Sequence, residues 1–539
     1  MRKKLNSLGY LTLIIPIVFM GCETIDLNHL DDPSSLVPVN ADPDQLLNSI
    51  QLNFVDAIAY NEANEDGLNV WASEAIRMQH QFGSYSGPFT LNSGVINDLW
   101  RDFYREALQD INILIPLAEE RELDGHIGVA KLIQAYIYVT LVDVFGDVPF
   151  TETLQGNISP NPKLDSGQSI YNAMLIIIDE AIVSLNSSTS SILPNDLFYG
   201  GDKDKWIKFA RTLKFKMYAQ MRLIGDFSSE INNLISQGLI DDESEDFQFQ
   251  YSSVASATGD SRHPYYALHY DSDGTDEFLN NYYINLLLND KGFNDPRLRY
   301  YFYRQTTTVP TGDFLECEGN PAFNFCYLGD LYRGRDHGDN EGVNPVNLLR
   351  STFGLYPIGG AFDADNFTNV VSNPGASGAG IFPFMLTSYV RFLKAESALM
   401  SGTTGNPRTL LEEAIRASMS KVLNFNPSQV PTTFAASNTE VDDYVTFVLG
   451  QYTDAGSNEE KLDVIMKEYY IALWGNGIEA YNNYRRTSYP SDISNPVIAA
   501  GNFTRSFPYP AEEVNSNSNI SQKLTSVKVF WDTNPADLK

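Results

Sequence analysis

The stretch GVAKLIQAYIYVTLVDVFGDVPF, residues 128–150, decides the fold class. It stays apolar for about five helical turns, which is the pattern of a long helix. Gly146 is the residue type that commonly ends a helix, and Pro149 follows where a helix cannot continue. We therefore predict a long helix that ends at Gly146 in a mainly α protein.

Helical periodicity extends outward from this stretch in both directions. The predicted N-terminal helices begin at Pro43 and continue over 67–81, 95–121, 126–144, 167–186, 202–224 and 228–237. The predicted C-terminal helices cover 386–402, 406–424, 438–453 and 457–482. Between about 240 and 385 the chain is rich in Gly, Asn, Asp, Pro and Tyr, with one good helix predicted near 276–290. We interpret this segment as a long irregular insert between two helical blocks.

Two places suggest helix-pair repeats. SYVRFLKAESALMSG (388–402) carries the small residues Ala395, Ser397 and Ala398 where a second helix must approach, and Pro407 opens the next helix. Residues 127–186 have a similar layout, broken by a long loop. The fold class predicted is a degenerate tetratricopeptide-like helix-pair scaffold with long irregular loop insertions. Unrelated antiparallel hairpins are the alternative.

The N-terminus predicts export and a lipid anchor. Arg2, Lys3 and Lys4 precede an apolar run over 8–20, which is shorter than the ~20 residues that a membrane-spanning helix needs. Gly21 and Cys22 end the run in VFMGCETID (18–26), which resembles a bacterial lipobox. We predict a signal peptide over 1–21, fatty-acid (palmitate-type) modification of Cys22, a flexible acidic tether over 22–41 and a single domain over 42–539. An ordinary signal peptide with an incidental cysteine is the alternative.

The charge balance excludes one class of partner. The chain has 37 Lys+Arg against 68 Asp+Glu, a net charge of −31, and loss of residues 1–21 with their three cations would leave −34. Such a surface repels phosphate backbones, and no basic motif offsets it. We therefore expect no nucleic-acid partner. The 12% aromatic share, with 30 Tyr and 31 Phe, is typical of surfaces that bind polar organic ligands, or of a Tyr-rich core.

Two further cysteines lie close together in the sequence. Cys317 and Cys326 flank a turn-forming Gly-Asn-Pro in CEGNPAFNFC. Because an exported protein folds in an oxidising compartment, we predict a disulfide between them. Two buried thiols are the alternative.

No motif predicts catalysis. GNGIEA (475–480) reads GxGxxA, but it lies in a helical stretch without the preceding strand that a dinucleotide site needs. GxSxG, HExxH and Walker sequences are absent from the sequence. We therefore predict no catalytic residues and no required cofactor.

Two polar segments raise the question of a metal site. DSDGTDE (271–277) groups four carboxylates that could begin to hold Ca²⁺, namely Asp271, Asp273, Asp276 and Glu277. A solvated acidic turn is our preferred interpretation, with calcium left open. GRDHGDNEG (334–342) contains Arg335, Asp336, His337, Asp339 and Glu341. We interpret it as a polar strut that cross-links neighbouring loops, with a metal or ligand site as the alternative.

Six segments in order resemble the SusD/RagB family of nutrient-binding outer-membrane lipoproteins. They are KLIQAYIYVTLVDVFGDVPF (131–150), GDKDKWIKFARTLKFKMYAQMR (201–222), FNDPRLRYYF (293–302), FLKAESALMSG (392–402), YYIALWGNGIEAYNNYRRT (469–487) and FPYPAEEVNSNSN (507–519). The resemblance covers essentially the whole chain after Cys22. It implies a helical scaffold with ligand loops on one side, anchored in the outer membrane, that captures oligosaccharides or oligopeptides. It also implies delivery to a SusC-like TonB-dependent transporter.

The ligand site needs flat aromatic faces and orienting polar groups, and two loops supply them. The predicted contacts from RMQHQFGSYSGPF (77–89) are His80, Gln81, Phe82, Tyr85 and Phe89. Those from HPYYALHYDSD (263–273) are Tyr265, Tyr266, His269 and Tyr270. Ordinary packing is the alternative for each aromatic residue. A surface hydrolase of polymers and a protein-docking repeat scaffold are the alternative functions.

Overall fold

The computed structural model describes residues 41–59, 67–85, 93–155, 159–188, 195–256, 259–270, 277–312, 315, 317–340 and 349–539. The predicted signal peptide, Cys22 and almost all of the predicted tether lie outside these residues. Residues 42–539 form one compact unit.

The N-terminal half of the described chain is built from successive helices. They are α1 (Pro43–Ile58), α2 (Leu68–Ala75), α3 (Ser93–Arg101), α4 (Leu108–Glu120), α5 (Asp124–Phe145), α6 (Gly167–Ser187), α7 (Lys203–Gln220) and α8 (Ser228–Gln237). A π-helical turn, Asp102–Ala107, joins α3 to α4. From α4 to α8, each helix packs against the next one in the chain.

Short strands pair in two places, in the loop between α5 and α6 and in the insert, and the insert also contains small helices. The strand pairs are β1 (Val148–Pro149) with β2 (Leu164–Asp165), β3 (Phe247–Gln250) with β8 (Ile381–Met385), β4 (Ala255–Ser256) with β5 (Gly259–Asp260), and β6 (Phe302–Tyr303) with β7 (Thr352–Phe353). The helices are α9 (Pro264–His269), α10 (Asn281–Leu288) and α11 (Leu298–Tyr301). The helix predicted near 276–290 is thus shorter than expected, because Asn280 caps its start by accepting from the backbone N–H of Tyr282.

The C-terminal half repeats the helical arrangement. Its helices are α12 (Thr387–Met400), α13 (Pro407–Leu423), α14 (Asn438–Asp454), α15 (Asn458–Ala472), α16 (Gly477–Thr487) and α17 (Ala511–Ser516). Helices α12 to α15 pack one against the next, and α12 also contacts α15. The predicted mainly α, tetratricopeptide-like scaffold with irregular insertions is confirmed.

Helix α5 is the centre of the N-terminal core. Of its 22 residues, 19 are buried, which is what a helix that is apolar on every side requires. Its C-cap is Gly146, as the sequence predicts. By length and composition two described helices, α5 and α6, could cross a membrane, but α5 is mostly buried inside the protein and α6 packs on α5.

A buried carboxylate on α5 ties distant parts of the chain together. Asp143 accepts hydrogen bonds from Trp531 Nε1 at 2.8 Å, Asn482 Nδ2 at 3.1 Å and the Tyr171 hydroxyl. Burial raises the pKa of Asp143, and the charge of Lys216 opposes that rise. The irregular C-terminal segment is therefore held against the core helix by charge-assisted hydrogen bonds.

A second buried carboxylate joins the two helical blocks. Glu396 on α12 accepts from Arg222 Nε at 2.7 Å and from Arg486 Nη2 at 2.8 Å. Although burial opposes it, the charges of Arg486 and Arg222 lower the pKa of Glu396. The ion pairs keep this carboxylate charged inside the protein.

The predicted helix over 457–482 is wrong, because the chain forms α15 and α16 with a turn between them. Gly475 in this turn has a φ of +97°, and a Cβ there would lie 2.7 Å from Pro357 Cγ. Asn476 then caps α16 by accepting from the backbone N–H of Glu479 at 3.1 Å. GNGIEA is thus a tight helix–helix turn, and no strand precedes it.

Candidate functional site

Three chain segments meet where the two predicted ligand loops lie. The backbone N–H of His80 donates to the Phe278 carbonyl at 2.9 Å, and that of Arg335 donates to the Leu279 carbonyl at 2.9 Å. Gly334 permits this approach, since a Cβ on it would lie 2.3 Å from the Leu279 oxygen. The polar and aromatic side chains of residues 78–85, 277–281 and 334–340 are therefore held in fixed relation to one another.

An aromatic–arginine stack, made of Phe82, Arg335, Phe278 and Arg350, projects from these segments. The Arg335 guanidinium lies 5.2 Å from the Phe82 ring centroid and 4.7 Å from the Phe278 centroid, and the two rings meet edge to face with their centroids 6.5 Å apart. The Arg350 guanidinium also lies over the Phe278 ring, 5.0 Å from its centroid. The Phe82 side chain at the outer end is 48% exposed. Cation–π contacts hold its ring in place, so it offers a rigid apolar surface to solvent.

His80 supports this ring from the side. Its imidazole meets Phe82 edge to face at 4.5 Å, and its Nε2 lies 3.1 Å from the Asp339 carbonyl oxygen. Burial, followed by the charge of Arg335, lowers the pKa of His80 to about 3. The imidazole is therefore neutral at physiological pH, and the stack carries charge only on its arginines.

Two other predicted contacts of the first loop, Gln81 and Tyr85, are buried. Gln81 lies under the surface with its Nε2 donating to the Ser84 carbonyl at 2.7 Å. The Tyr85 hydroxyl accepts from Arg77, and the Tyr85 ring lies 5.1 Å from that of His337. Phe89 lies outside the described residues.

The second predicted loop forms α9, and its aromatic side chains face inward. Tyr265 accepts from Gln79 Nε2 at 2.7 Å, Tyr266 donates to the Pro374 carbonyl at 3.0 Å, and Tyr270 donates to the Phe353 carbonyl at 2.6 Å. These tyrosines and His269 are all buried. In this structure they support the loop, and among the predicted aromatic contacts that the structure describes only Phe82 has a large exposed surface.

The segment 334–340 acts as the polar strut that the sequence suggests. Asp336 accepts from the backbone N–H groups of Asn324 at 2.7 Å and Phe325 at 2.9 Å, and from Asn281 Nδ2 at 2.9 Å. Burial raises the pKa of Asp336, and these hydrogen bonds oppose the rise. His337 is also buried, and Glu341 lies outside the described residues.

The disulfide loop is fastened to this strut. Cys317 and Cys326 are bonded, with their Cα atoms 5.2 Å apart. Asn324 and Phe325 within the loop both donate to the Asp336 carboxylate. The disulfide loop is therefore fastened directly beside Arg335, the next residue in the chain.

The predicted metal site lies mostly beyond the described chain. Asp271, Asp273 and Asp276 are outside it, while the Glu277 carboxylate lies 3.9 Å from His269 Nε2. Among the described residues, no group of three or more His, Cys, Asp or Glu side chains is arranged to hold a metal ion. The interpretation of 271–277 as a solvated acidic turn, with calcium binding left open, stays a prediction.

An enclosed cavity lies beneath the site, lined in part by Gln79, His263, Tyr265 and Trp474. It offers about 20 Å³ to the centre of a water molecule. Since one water needs roughly 10–15 Å³ by this measure, the cavity is too small for a sugar ring or an amino-acid side chain.

Phe278 and Arg350 were not predicted as site residues. They lie far apart in the chain and in no recognisable motif, so only the fold brings them together. Arg335 had been singled out, but as part of the strut rather than as the support of an aromatic ring.

The structure defines a protein class built on paired helices with long loops between the helical blocks. Two family sequence models match the chain. One, described as starch-binding and associating with the outer membrane, covers residues 35–322, and the other, described as a SusD and RagB outer-membrane lipoprotein, covers residues 352–533. The chain belongs to the SusD/RagB family of nutrient-binding outer-membrane proteins, whose members bind substrates rather than transform them.

Solved structures show the same fold. A chitin-binding protein is 21% identical, with a TM-score of 0.68 over 92% of this chain and 100% of its own. A SusD homologue from Bacteroides fragilis is 18% identical, with a TM-score of 0.63 over 88% and 93% of the two chains. A SusD/RagB family protein from Bacteroides thetaiotaomicron is 18% identical, with a TM-score of 0.67 over 92% and 100%. No curated protein matches the sequence.

Proposed function

We propose that this protein captures oligosaccharides at the cell surface and delivers them to a SusC-like TonB-dependent transporter in the outer membrane. The observation that carries the ligand part is the exposed Phe82 ring on its arginine support. Sugar rings present flat C–H faces that stack on such an aromatic ring. The hydroxyl groups of a glycan, like the amide groups of a peptide, need polar partners beside that ring. The chitin-binding relative supports a glycan ligand over a peptide ligand. Binding of oligopeptides is therefore treated as an alternative result of the test below.

Capture in this proposal is an equilibrium without covalent chemistry. The rigid stack limits the conformational entropy lost on binding, because Arg335 and His80 already hold the ring. Anchoring through Cys22 keeps the protein at the membrane that contains the transporter. The ligand passes inward when the binding protein closes over the barrel.

Titration calorimetry of the mature protein with chito-oligosaccharides tests the capture step, with malto-oligosaccharides and mixed oligopeptides as comparison ligands. We expect saturable binding of a glycan and its recovery unaltered. Tight binding of peptides without binding of glycans would show that the ligands are oligopeptides and not oligosaccharides. Shortened products would favour a surface hydrolase, and binding of neither class would refute capture and favour a protein-docking scaffold.

The residue assignment has its own test. Phe82→Ala removes the stacking surface, and we expect an affinity loss of about 1–2 kcal/mol, or roughly fivefold to thirtyfold in Kd. Phe447→Ala is the matched control, because Phe447 is also partly exposed, at 37%, and lies on α14. Equal affinities for the wild type and Phe82→Ala would place the ligand elsewhere.

A further inference from the structure

Two polar atoms at the cavity beneath the site have no partner among the described residues. Gln79 Oε1 and Trp474 Nε1 belong to residues that line the cavity, and neither atom makes a hydrogen bond within the described part of the chain. Gln79 is 4% exposed and Trp474 is 2% exposed, so bulk solvent does not reach them. Because a buried donor or acceptor without a partner destabilises a fold, each atom needs a partner inside the cavity.

The Gln79 side chain is fixed by its other amide atom. Its Nε2 donates to the Tyr265 hydroxyl at 2.7 Å, and its backbone forms a β-bridge with Leu279. With Nε2 occupied and the backbone held in place, Oε1 remains as the acceptor that Gln79 can offer to a molecule in the cavity. Gln79 stands three residues before Phe82, so a contact at Oε1 also supports the loop that carries the exposed ring.

Aromatic rings hold the Trp474 indole in one orientation. The rings of Phe353 and Tyr283 stack on it, with centroids 5.2 and 5.1 Å away, and the ring of Phe302 meets it edge to face at 5.4 Å. These contacts fix the indole without giving its N–H an acceptor. An indole is a donor and has no acceptor atom. Trp474 therefore presents a rigid donor at the cavity.

The size of the cavity and the polarity of its walls suit one water molecule. The cavity volume of about 20 Å³ exceeds the roughly 10–15 Å³ that a water needs by the same measure. Asn69, Ser73 and His263 add further polar groups to the walls. Purely apolar cavities stay dry, whereas a cavity that offers a water two to four hydrogen-bonding groups is filled.

The pairing of a donor with an acceptor selects water over an ion. A cation would face the positive end of the Trp474 N–H, and an anion would face the carbonyl oxygen of Gln79. The described residues that line the cavity are uncharged, because burial lowers the pKa of His263 to about 3 and its imidazole is neutral at physiological pH. A water molecule can accept from the indole and donate to the amide oxygen at the same time.

We propose that this cavity binds one structural water molecule, which accepts a hydrogen bond from Trp474 Nε1 and donates one to Gln79 Oε1. The water links the segment that carries Phe82 to the turn between α15 and α16, which lies near the other end of the chain. The water site is separate from the exposed surface at Phe82, and its test does not depend on the identity of the captured ligand.

A high-resolution crystal structure of the mature protein tests the proposal. We expect a single density peak in the cavity, within about 3.2 Å of both Trp474 Nε1 and Gln79 Oε1, which is the upper length of such hydrogen bonds. An empty cavity, or a peak that reaches only one of the two atoms, would overturn the proposal. A peak with six or more oxygen neighbours at about 2.3–2.6 Å would identify a cation and overturn it as well.

Transfer of magnetisation from water to the indole protons in solution is the second readout. Trp206 and Trp531 are matched controls, because both are 0% exposed but donate to carboxylates, Asp196 at 2.9 Å and Asp143 at 2.8 Å. In deuterated, nitrogen-15-labelled protein we expect a dipolar cross-peak between water and the Trp474 indole proton, which Trp474→Phe assigns, and none at the two controls. Equal transfer to all three indoles, or none to Trp474, would contradict a bound water.

Two hydroxyl variants complete this test. The hydroxyls of Ser73 and Tyr265 belong to residues that line the cavity, and their protons exchange with water. The Trp474 cross-peak should persist in Ser73→Ala and in Tyr265→Phe. Its loss in either variant would trace the signal to that hydroxyl, and the proposal would fail.

Discussion

His263 should make the fold sensitive to mild acid. This buried imidazole begins α9, and its Nδ1 accepts a hydrogen bond from the backbone N–H of Tyr265 at 3.2 Å. A proton on Nδ1 would remove that acceptor. Burial lowers the pKa of His263 to about 3, although a hydrogen bond with the backbone of Ile381 opposes the change.

The sign and size of the effect follow from this pKa. The folded state holds the pKa below the unfolded value of about 6.5, so the contribution to stability is present above that value and is lost as the pH falls toward 3. Between about pH 7.5 and about pH 5, His263 becomes protonated in the unfolded state but stays neutral in the folded state. This difference lowers the free energy of unfolding by about 2 kcal/mol. Acidification should therefore weaken the N-terminus of α9.

Urea unfolding of the wild type and of His263→Gln at the two pH values measures this contribution. Glutamine does not titrate, so the stability gap between the two proteins should narrow by about 2 kcal/mol at the lower pH. Tyr265→Phe is the control, because it changes the same helix without changing a group that titrates in this range, and its gap should stay constant. Parallel losses of stability in the wild type and His263→Gln would refute the reasoning.

Three further predictions concern stability, each measured by the free energy of unfolding. Replacing Cys317 and Cys326 by serine should cost about 2–3 kcal/mol through the freed loop, and a dithiothreitol-treated wild type should match the variant. Gly475→Ala should destabilise the fold by at least about 1 kcal/mol, because the backbone there has a positive φ and the new Cβ would meet the Pro357 ring. Gly450→Ala inside α14 should instead stabilise the fold by about 0.5–1 kcal/mol, because nothing lies within 4 Å of the new Cβ. Equal signs for the two glycines would contradict the packing argument. Glu396→Ala should cost about 3–5 kcal/mol because it leaves the buried Arg486 and the partly buried Arg222 without their carboxylate. A loss below about 1 kcal/mol would mean that water replaces it.

The helices could be predicted because their signal is local. Apolar spacing and end signals lie within each helix, so residues 228–237 match α8 and residues 167–186 nearly match α6. The prediction failed at Gly475, whose φ of +97° interrupts the helix and whose missing side chain leaves room for Pro357. Periodicity within the helix does not report the approach of a residue more than a hundred positions away.

The candidate site was harder to predict for the same reason. Tyr270 and Phe82 both stand in polar, aromatic loops, and their sequence surroundings are alike. The burial of the two rings differs because the Tyr270 hydroxyl donates to the buried Phe353 carbonyl, which holds the Tyr270 ring inside the protein. Phe82 remains 48% exposed, against 7% for Tyr270. The identity of an aromatic residue can thus be read from the chain, but the direction in which its ring faces depends on partners brought by the fold.

The hydrogen bond from Trp531 to Asp143 has a consequence for how the protein is made. Synthesis proceeds from the N-terminus, so α5 exists long before Trp531 is added. Until then the Asp143 carboxylate lacks its indole donor, and the interior of the first helical block stays incomplete. A chain cut short before Trp531 should therefore keep most of its helices but leave Asp143 buried with one donor fewer.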